Sequence, residues 1–401
     1  MKPPWPPRRL MAEVERTGWG EGTMWNRSIC WAVTLGITTC GLASASTPGA
    51  SAGSPSRMHT AAPVSASAPP AQALRLDTYV RSVVAREHFS GVIRITRGDR
   101  LLWTKAYGEA CREWRVSNTL TTAFRIGSIS KQFTAAAILL LQDAGRLSVQ
   151  DSLGHWLPDA PAAWRPITIH QLLTHTSGIP DLVRLPEFGG LVTKPTTLVD
   201  ELQLLAGKPL EHDPGAETRY GNSGYLVAAR IVELASGMPF ERYLQEHVYQ
   251  PMQMGHSGPG SIDAIVRERA LGYAWRDGSW AVPTYIDMTV PIGAGAEVSS
   301  APDLDRYLGA LFGGRLLSAA SLALMCTDHG AEYGYGWEVT RVQGRRVIQH
   351  TGDINGFGAH VSYFPAGAER IIVLANTEGV NIHAMSDSLA ALVFGGTGVG
   401  R

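Results

Sequence analysis

The chain is organised around residues 124–145, which read FRIGSISKQFTAAAILLLQDAG in one-letter code. Most of these positions are apolar, so the run predicts a buried helix, and Gly145 stands where a left-handed residue commonly ends one. Lys131 is the one cation in the body of this helix. Because an unpaired ammonium loses several kcal/mol of hydration on burial, packing alone does not explain this lysine.

Ser128 lies three residues before Lys131, on the same helical face and at the positive end of the helix dipole. A neighbouring amine with a depressed pKa is what a serine hydroxyl needs in order to attack. Serine and lysine are common residues at a common spacing, so chance is the competing interpretation. Against chance, no other lysine of this chain has a serine three residues before it; the others are Lys2, Lys105, Lys194 and Lys208.

Length and composition predict a globular protein of one large domain or two closely joined ones. The chain has 401 residues, of which 44% are hydrophobic, and this is enough to bury a full core. Its 35 basic and 35 acidic residues balance, so charge gives no reason to expect nucleic acid or an anionic membrane as a partner. His170 and His175 lack the spacing and acidic partner of a zinc site, so we expect no metal and no cofactor.

Residues 1–45 are predicted to be a signal peptide, which implies a periplasmic or secreted protein. Arg27 precedes an apolar stretch over 29–42 and a small-residue exit over 43–45. Three glutamates lie upstream, which favours Met24 as the true start. The apolar stretch is too short for a stable membrane span. A lipid anchor on Cys40 is poorly supported by the residues before it.

Residues 46–72 are rich in Ala, Ser and Pro and predict a flexible linker, so the folded domain is expected over 73–397. After removal of the signal peptide, Cys111 and Cys326 are the remaining cysteines. Two cysteines in an oxidising compartment can form a disulfide, while two buried thiols are the alternative.

The hydrophobic periodicity predicts an α+β fold. A helix over 73–87 precedes a hairpin of two strands, and further strands and a closing helix over 386–394 occupy the C-terminal part. We therefore expect an antiparallel sheet of about five strands, built from both chain ends, with flanking helices and a mostly helical middle subdomain. The predicted strands cover 91–96, 101–107, 335–342, 345–350, 359–364 and 370–375.

Two further motifs follow the Ser128-Ile-Ser-Lys131 pair, and each is weak alone. Tyr220 and Asn222 stand two apart in a loop, so both can face one cleft, and residues 350–352 read His-Thr-Gly at a strand end. In this order the three motifs resemble those of the penicillin-recognising serine hydrolases. The resemblance covers about residues 75–395 and points to the branch of class C β-lactamases, DD-carboxypeptidases, D-aminopeptidases and related esterases.

This resemblance implies a β-lactamase/transpeptidase-like fold and a catalytic role for three residues. Ser128 would be the nucleophile, Lys131 its activating base, and Tyr220 the group that passes a proton to the leaving group. The oxyanion hole would consist of the backbone N–H groups of Ser128 and Asp353.

The resemblance also implies substrate-binding residues. Asn222 would hold the substrate amide, and His350, Thr351 and Gly352 would form the strand against which the substrate lies. His350 stands where many members have lysine, so it would face the substrate carboxylate, as a cation, and bias Tyr220. The alternative is that His350 positions Tyr220 through a neutral hydrogen bond.

The function expected from these motifs is that of a secreted or periplasmic serine hydrolase. It would act through an acyl-enzyme on Ser128, on an amide, peptide or ester. A class C-type β-lactamase is the first alternative, and histidine instead of lysine at position 350 weighs against it. A non-catalytic penicillin-binding or scaffold protein is the second, and a buried Lys131 weighs against that. The expected partners are small peptide, β-lactam or ester substrates, and the oligomeric state stays open.

Overall fold

The structure is a computed structural model that describes residues 69–260 and 265–395. The predicted signal peptide over 1–45 and most of the predicted linker over 46–72 lie outside the described residues. The first helix begins at Pro70 rather than at residue 73. Proline is favoured in the first turn of a helix, where no backbone N–H partner is needed, so the helix can start there.

The α-helices are, in chain order, α1 (Pro70–Glu87), α2 (Ser130–Asp143), α3 (Leu153–Trp156), α4 (Ile169–Leu173), α5 (Phe188–Leu191), α6 (Leu198–Ala206), α7 (Ser223–Ser236), α8 (Phe240–Leu244), α9 (Ala301–Phe312), α10 (Ala319–Met325) and α11 (Ile382–Val393). The strands are β1 (Gly91–Arg97), β2 (Arg100–Tyr107), β3 (Glu109–Cys111), β4 (Val116–Ser117), β5 (Ala123–Arg125), β6 (Gly258–Pro259), β7 (Tyr273–Arg276), β8 (Ser279–Ala281), β9 (Glu297–Ser300), β10 (Glu338–Val342), β11 (Arg345–Ile354), β12 (Phe357–Phe364), β13 (Glu369–Ala375) and β14 (Thr377–Glu378).

The main sheet has six strands in the order β10-β11-β12-β13-β1-β2, and every neighbouring pair is antiparallel. Strand β1, from the start of the domain, pairs with β13 near its end. The predicted α+β class and the assembly of the sheet from both chain ends are therefore confirmed. About five strands were expected in total, yet all six predicted strand ranges correspond to strands of this one sheet, including 335–342, which contains the edge strand β10.

The two faces of this sheet are covered by different helices. On β1, Ile93 and Ile95 are buried in the core that includes residues of α1 and α11. The alternate residues Arg94 and Thr96 face α9, where both bond the carboxylate of Asp305 at 2.8 and 2.9 Å. Alternate side chains of β1 point to opposite faces of the sheet. One face therefore carries an apolar layer and the other a polar network.

The middle of the chain is mostly helical, as expected, and it surrounds α2. Helix α2 packs against α7 and α10, and α7 in turn packs against α4, α6 and α8. Gly145, just after α2, has φ +67°, so it ends the helix as predicted. Within the described residues no helix is long and apolar enough to cross a bilayer.

The two cysteines of the domain do not form a disulfide. Cys111 is half-buried in β3, while Cys326 is buried just after α10, and both are free thiols. Burial raises the pKa of the Cys326 thiol to about 12, so it is an inert packing residue. The disulfide interpretation is wrong, and of the two buried thiols that were the alternative only Cys326 is fully buried.

Candidate active site

The sequence around Ser128 forms a tight turn between β5 and α2. Residues Gly127–Ile129 make one 3₁₀ turn, and α2 continues it from Ser130. Gly127 has φ +51°, and a β-carbon there would lie 2.8 Å from both N and O of Asp353. Glycine is therefore required at this position, and it lets the end of β11 pack directly against the turn that carries Ser128.

Lys131 is fully buried, and its ammonium nitrogen has three acceptors. Its Nζ lies 3.0 Å from Ser128 Oγ, 2.8 Å from Asn222 Oδ1 and 3.1 Å from the carbonyl oxygen of Ala294. Burial lowers the pKa of Lys131 from 10.5 to about 7. Near pH 7 a large fraction of this lysine is thus the neutral amine.

The three contacts of Lys131 Nζ determine the direction of the lone pair of the neutral amine. A neutral amine has two N–H groups and one lone pair. Asn222 Oδ1 and the Ala294 carbonyl can only accept, so they take the two N–H groups. The lone pair is then left for the hydroxyl proton of Ser128, and Lys131 can act as its general base.

Asp181 is a site residue that the sequence did not reveal. Its Oδ1 accepts the backbone N–H of Asn222 at 3.0 Å and the side-chain amide N–H at 3.4 Å. This contact turns Asn222 Oδ1 toward Lys131. The charge of Asp181 also raises the pKa of Lys131, against the larger effect of burial. The second amide N–H of Asn222 remains for a substrate, so the predicted substrate contact stays a prediction.

Tyr220 reaches both members of the pair. Its ring centroid lies 4.9 Å from Lys131 Nζ, and its hydroxyl makes a side-chain hydrogen bond with Ser128. Desolvation raises the pKa of the Tyr220 hydroxyl, so the phenol is protonated at neutral pH. A phenol in this state can donate a proton to a leaving group, as expected for a proton shuttle.

His350 differs from the expectation that it is a cation facing a substrate carboxylate. The ring is 2% exposed; Nδ1 lies 2.6 Å from the Thr351 carbonyl oxygen and Nε2 lies 3.0 Å from the Tyr333 hydroxyl. A carbonyl cannot donate, so Nδ1 carries the proton. Burial, followed by the charge of Lys131, lowers the pKa of His350 to about 3. The ring is therefore neutral rather than cationic in this state of the site, while the contact of His350 with a substrate stays a prediction.

Thr351 and Gly352 on β11 differ in what they contact: Thr351 forms a side-chain hydrogen bond, and Gly352 packs against the backbone. The hydroxyl of Thr351 lies 2.8 Å from Nδ1 of the buried His360, whose Nε2 lies 2.8 Å from Ser362 Oγ. A β-carbon on Gly352 would overlap the Ile126 carbonyl oxygen, so this residue has to be glycine. Their contact with a substrate stays a prediction.

A cavity of about 240 Å³ opens above Ser128. Asn222 and Asp353 line it together with Ser128, and the Asp353 backbone is held next to the Ser128 turn by Gly127. This arrangement is consistent with the predicted oxyanion hole, which remains a prediction. The rest of the wall is largely apolar and includes Leu182, Phe188, Leu226, Ile286, Val290 and Ile354.

His170 in α4 and His175, two residues after the end of that helix, have structural neighbours. His170 Nδ1 lies 2.7 Å from the Tyr335 hydroxyl. The His175 ring packs 4.5 Å from the ring of Tyr220, centroid to centroid. In residues 69–260 and 265–395, no group of three or more His, Cys, Asp or Glu side chains could hold a metal ion.

A serine bonded to a buried lysine at the start of a helix, on this α+β fold, defines a β-lactamase-fold serine hydrolase. The family model described as Beta-lactamase matches residues 76–393. The chain belongs to this family.

Three known proteins show the extent of the likeness. The chain is 32% identical over 292 residues to "Putative penicillin-binding protein PbpX" of Bacillus subtilis strain 168, covering 72% of this chain and 71% of that protein. A penicillin binding protein from Bacillus halodurans is 28% identical with a TM-score of 0.70, over 79% of this chain and 98% of that one. A D-amino acid amidase from Ochrobactrum anthropi SV3 is 22% identical with a TM-score of 0.72, over 81% and 99% of the two chains, and shares the fold.

Proposed function

We propose that this protein hydrolyses an amide or ester bond through a covalent acyl-enzyme on Ser128. The observation that carries the proposal is the fully buried Lys131, whose Nζ lies 3.0 Å from Ser128 Oγ and whose pKa is lowered to about 7. Burial works against the charged form of such a lysine and so lowers the stability of the fold. A lysine that is retained at this cost indicates a functional site. The known amidase with the same fold is consistent with this reaction class.

The proposed acylation step uses four groups. Lys131 takes the hydroxyl proton of Ser128 while Oγ forms a bond to the carbonyl carbon of the substrate. The resulting oxyanion accepts hydrogen bonds from the backbone N–H groups of Ser128 and Asp353. Tyr220 gives its proton to the leaving nitrogen or oxygen as that bond breaks, and it regains a proton from Lys131.

Deacylation reverses the proton path with water in place of Ser128. Neutral Lys131 takes one proton of the water as the water oxygen bonds to the acyl carbon, and Ser128 Oγ takes that proton back from Lys131 as the bond between Oγ and the acyl carbon breaks. The apolar wall of the cavity, including Leu182 and Phe188, favours an apolar acyl group beside the scissile bond. Export of the protein stays a prediction, because residues 1–45 lie outside the described residues.

The reaction class is tested with the purified protein and a panel of substrates. The panel holds a short-chain nitrophenyl ester, a D-amino acid amide, a D-Ala-D-Ala peptide and a chromogenic cephalosporin. We expect turnover of the ester and of at least one amide. Hydrolysis of the cephalosporin alone would favour the β-lactamase alternative. No turnover and no covalent adduct with any of the four would contradict the proposal.

Asp181→Asn is expected to move the acidic limb of the kcat/KM profile to lower pH. The base must be neutral, so kcat/KM should rise through about pH 7 in the wild type. The charge of Asp181 raises the pKa of Lys131, so its removal is expected to lower that pKa. Asparagine keeps an oxygen that can accept the Asn222 N–H. The measurement is kcat/KM for a neutral ester between pH 5 and pH 9.

The matched control for this profile is Asp159→Asn, which removes an exposed carboxylate from the loop after α3. This variant should keep the wild-type limb. A limb that stays in place in Asp181→Asn, or moves to higher pH, would show that Lys131 is not the group that titrates.

A further inference from the structure

A second cavity, of about 260 Å³, lies beside the one above Ser128. The two cavities share Ile286 and Asn355 as wall residues. Both linings are largely apolar, but the second cavity is also lined by three charged side chains, those of Arg125, Arg269 and Glu113. Arg125 stands three residues before Ser128, so their Cα atoms are at most about 11 Å apart.

Among the described residues, the guanidinium of Arg125 has an aromatic neighbour but no ion-pair partner. Over residues 69–260 and 265–395 it makes no hydrogen bond or ion pair, and its Cζ lies 5.9 Å from the ring centroid of Phe357. The residue is half-buried. Desolvation and the neighbouring charge of Arg269 both lower its pKa. A partly desolvated cation beside a second cation costs free energy, which an anion in the cavity would offset.

The carboxylates near this cavity are directed to other groups. Asp287 accepts the N–H and the hydroxyl of Thr289 at 3.0 and 2.7 Å, and Glu113 accepts the Tyr273 hydroxyl. Asp287 attracts Arg125 electrostatically but forms no ion pair with it. Among the described residues, the Arg125 guanidinium is attracted by Asp287 but bonded by no carboxylate, and its planar fork suits the two oxygens of a carboxylate or phosphate.

The position of the cavity indicates which part of a substrate would reach it. An acyl group attached to Ser128 occupies the first cavity and can extend past Ile286 and Asn355 into the second. The rim of the second cavity carries the exposed apolar residues Leu271 and Val282, which suit a hydrocarbon chain. A substrate with an apolar chain and a terminal anion matches both cavities.

We propose that the cavity at Arg125 is an anion-binding subsite, so that the protein prefers acyl groups that end in a carboxylate or phosphate. The preference for an acyl group rests on the proposed function, whereas anion binding at Arg125 does not require catalysis. Arg125 takes no part in the steps proposed for Ser128, Lys131 and Tyr220.

The kinetic test compares matched pairs of esters. Mono-4-nitrophenyl esters of glutaric to suberic acid are paired with neutral 4-nitrophenyl alkanoates of the same chain length. For each pair we take the ratio of kcat/KM for the acidic ester to kcat/KM for the neutral ester. At the chain length that gives the largest ratio, we expect the ratio of the wild type to exceed that of Arg125→Gln by about 10-fold or more. A ratio cancels any general loss of activity. Arg125→Lys keeps the charge without the fork and should fall between the two.

Arg267→Gln is the matched control, because Arg267 is exposed and lines a different cavity. This variant should keep the wild-type ratio. Equal ratios in the wild type, Arg125→Gln and Arg125→Lys would overturn the subsite. If Arg125→Gln does not fold, the decrease from wild type to Arg125→Lys decides the question.

A binding test separates the subsite from the catalytic proposal. Adipate and inorganic phosphate are each titrated calorimetrically into Ser128→Ala protein and into the Ser128→Ala/Arg125→Gln double variant. Saturable binding to the first and at least about 10-fold weaker binding to the second supports the subsite, even if no ester is turned over. The better of the two probes identifies the anion. Equal binding to both proteins, or no binding of either probe, overturns it.

Discussion

Ser128→Ala is expected to reduce kcat/KM for any turned-over ester or amide by about 10⁴-fold or more, the scale of loss for a catalytic nucleophile. The hydroxyl removed is the one bonded by Lys131 at 3.0 Å and by Tyr220. No covalent intermediate can form without it. The measurement is steady-state kinetics at substrate concentrations well below KM.

Ser130→Ala is the matched control for this loss. Ser130 is two residues away, and its hydroxyl accepts the backbone N–H of Glu297 at 3.1 Å. The same atom is removed from the same helical segment, so any loss in Ser130→Ala measures disturbance of the fold. Comparable activity of the two variants would contradict the assignment of Ser128 as nucleophile.

Lys131→Arg is expected to reduce the rate of acylation by about 10²-fold or more, the usual scale for a missing general base. The pKa of Lys131 is lowered to about 7 by burial, so the neutral amine is available near neutral pH. A guanidinium does not lose its proton in this pH range, and its planar fork does not fit the three acceptors around Nζ. The measurement is the rate of the nitrophenol burst.

Lys105→Arg controls for the exchange of a lysine for an arginine. Lys105 pairs with Asp77 at 2.6 Å on the edge strand β2, where either cation can serve. Circular dichroism and thermal unfolding show whether Lys131→Arg remains folded. A folded Lys131→Arg protein with a near-normal burst would mean that Tyr220 or water activates Ser128.

The central helix α2 and the pairing of Ser128 with Lys131 are predictable from the sequence because the determinants are local. The run of apolar residues predicts that the helix is buried. The single lysine within it, Lys131, shows where this burial disfavours a charge. Gly145 marks the end of the helix. The sheet is predictable in the same way, since alternation within each strand indicates its buried face, and β1 buries Ile93 and Ile95 as that pattern requires.

The state of His350 is not predictable from the sequence because its partners come from elsewhere in the fold. The Tyr333 hydroxyl that bonds Nε2 is contributed by the segment before β10, and the proximity of Lys131 depends on how α2 packs beneath the sheet. A strand-end histidine beside Thr351 can equally be exposed and charged. Only the packed structure shows that burial keeps this ring neutral.

The environments of Asp181 and Arg125 are likewise not predictable from the sequence. Asp181 contacts Asn222 across 41 positions of sequence, and nothing in the loop around it signals that contact. Arg125 stands just before the Ser128 turn, yet only the packing of the described residues shows that none of their carboxylates bonds it. Long-range contacts decide which polar residues are compensated, and local patterns do not report them.

The assignment of Ser128 as the nucleophile is tested most directly by locating the residue that a fluorophosphonate labels covalently. Intact-protein mass spectrometry and peptide mapping identify that residue. Cleavage after Arg125 and Lys131 releases residues 126–131, Ile-Gly-Ser-Ile-Ser-Lys, so fragment spectra have to distinguish Ser128 from Ser130. We predict one adduct per chain, located on Ser128, absent in Ser128→Ala and retained in Ser130→Ala. An adduct on another residue, or undiminished labelling of Ser128→Ala, would contradict the account.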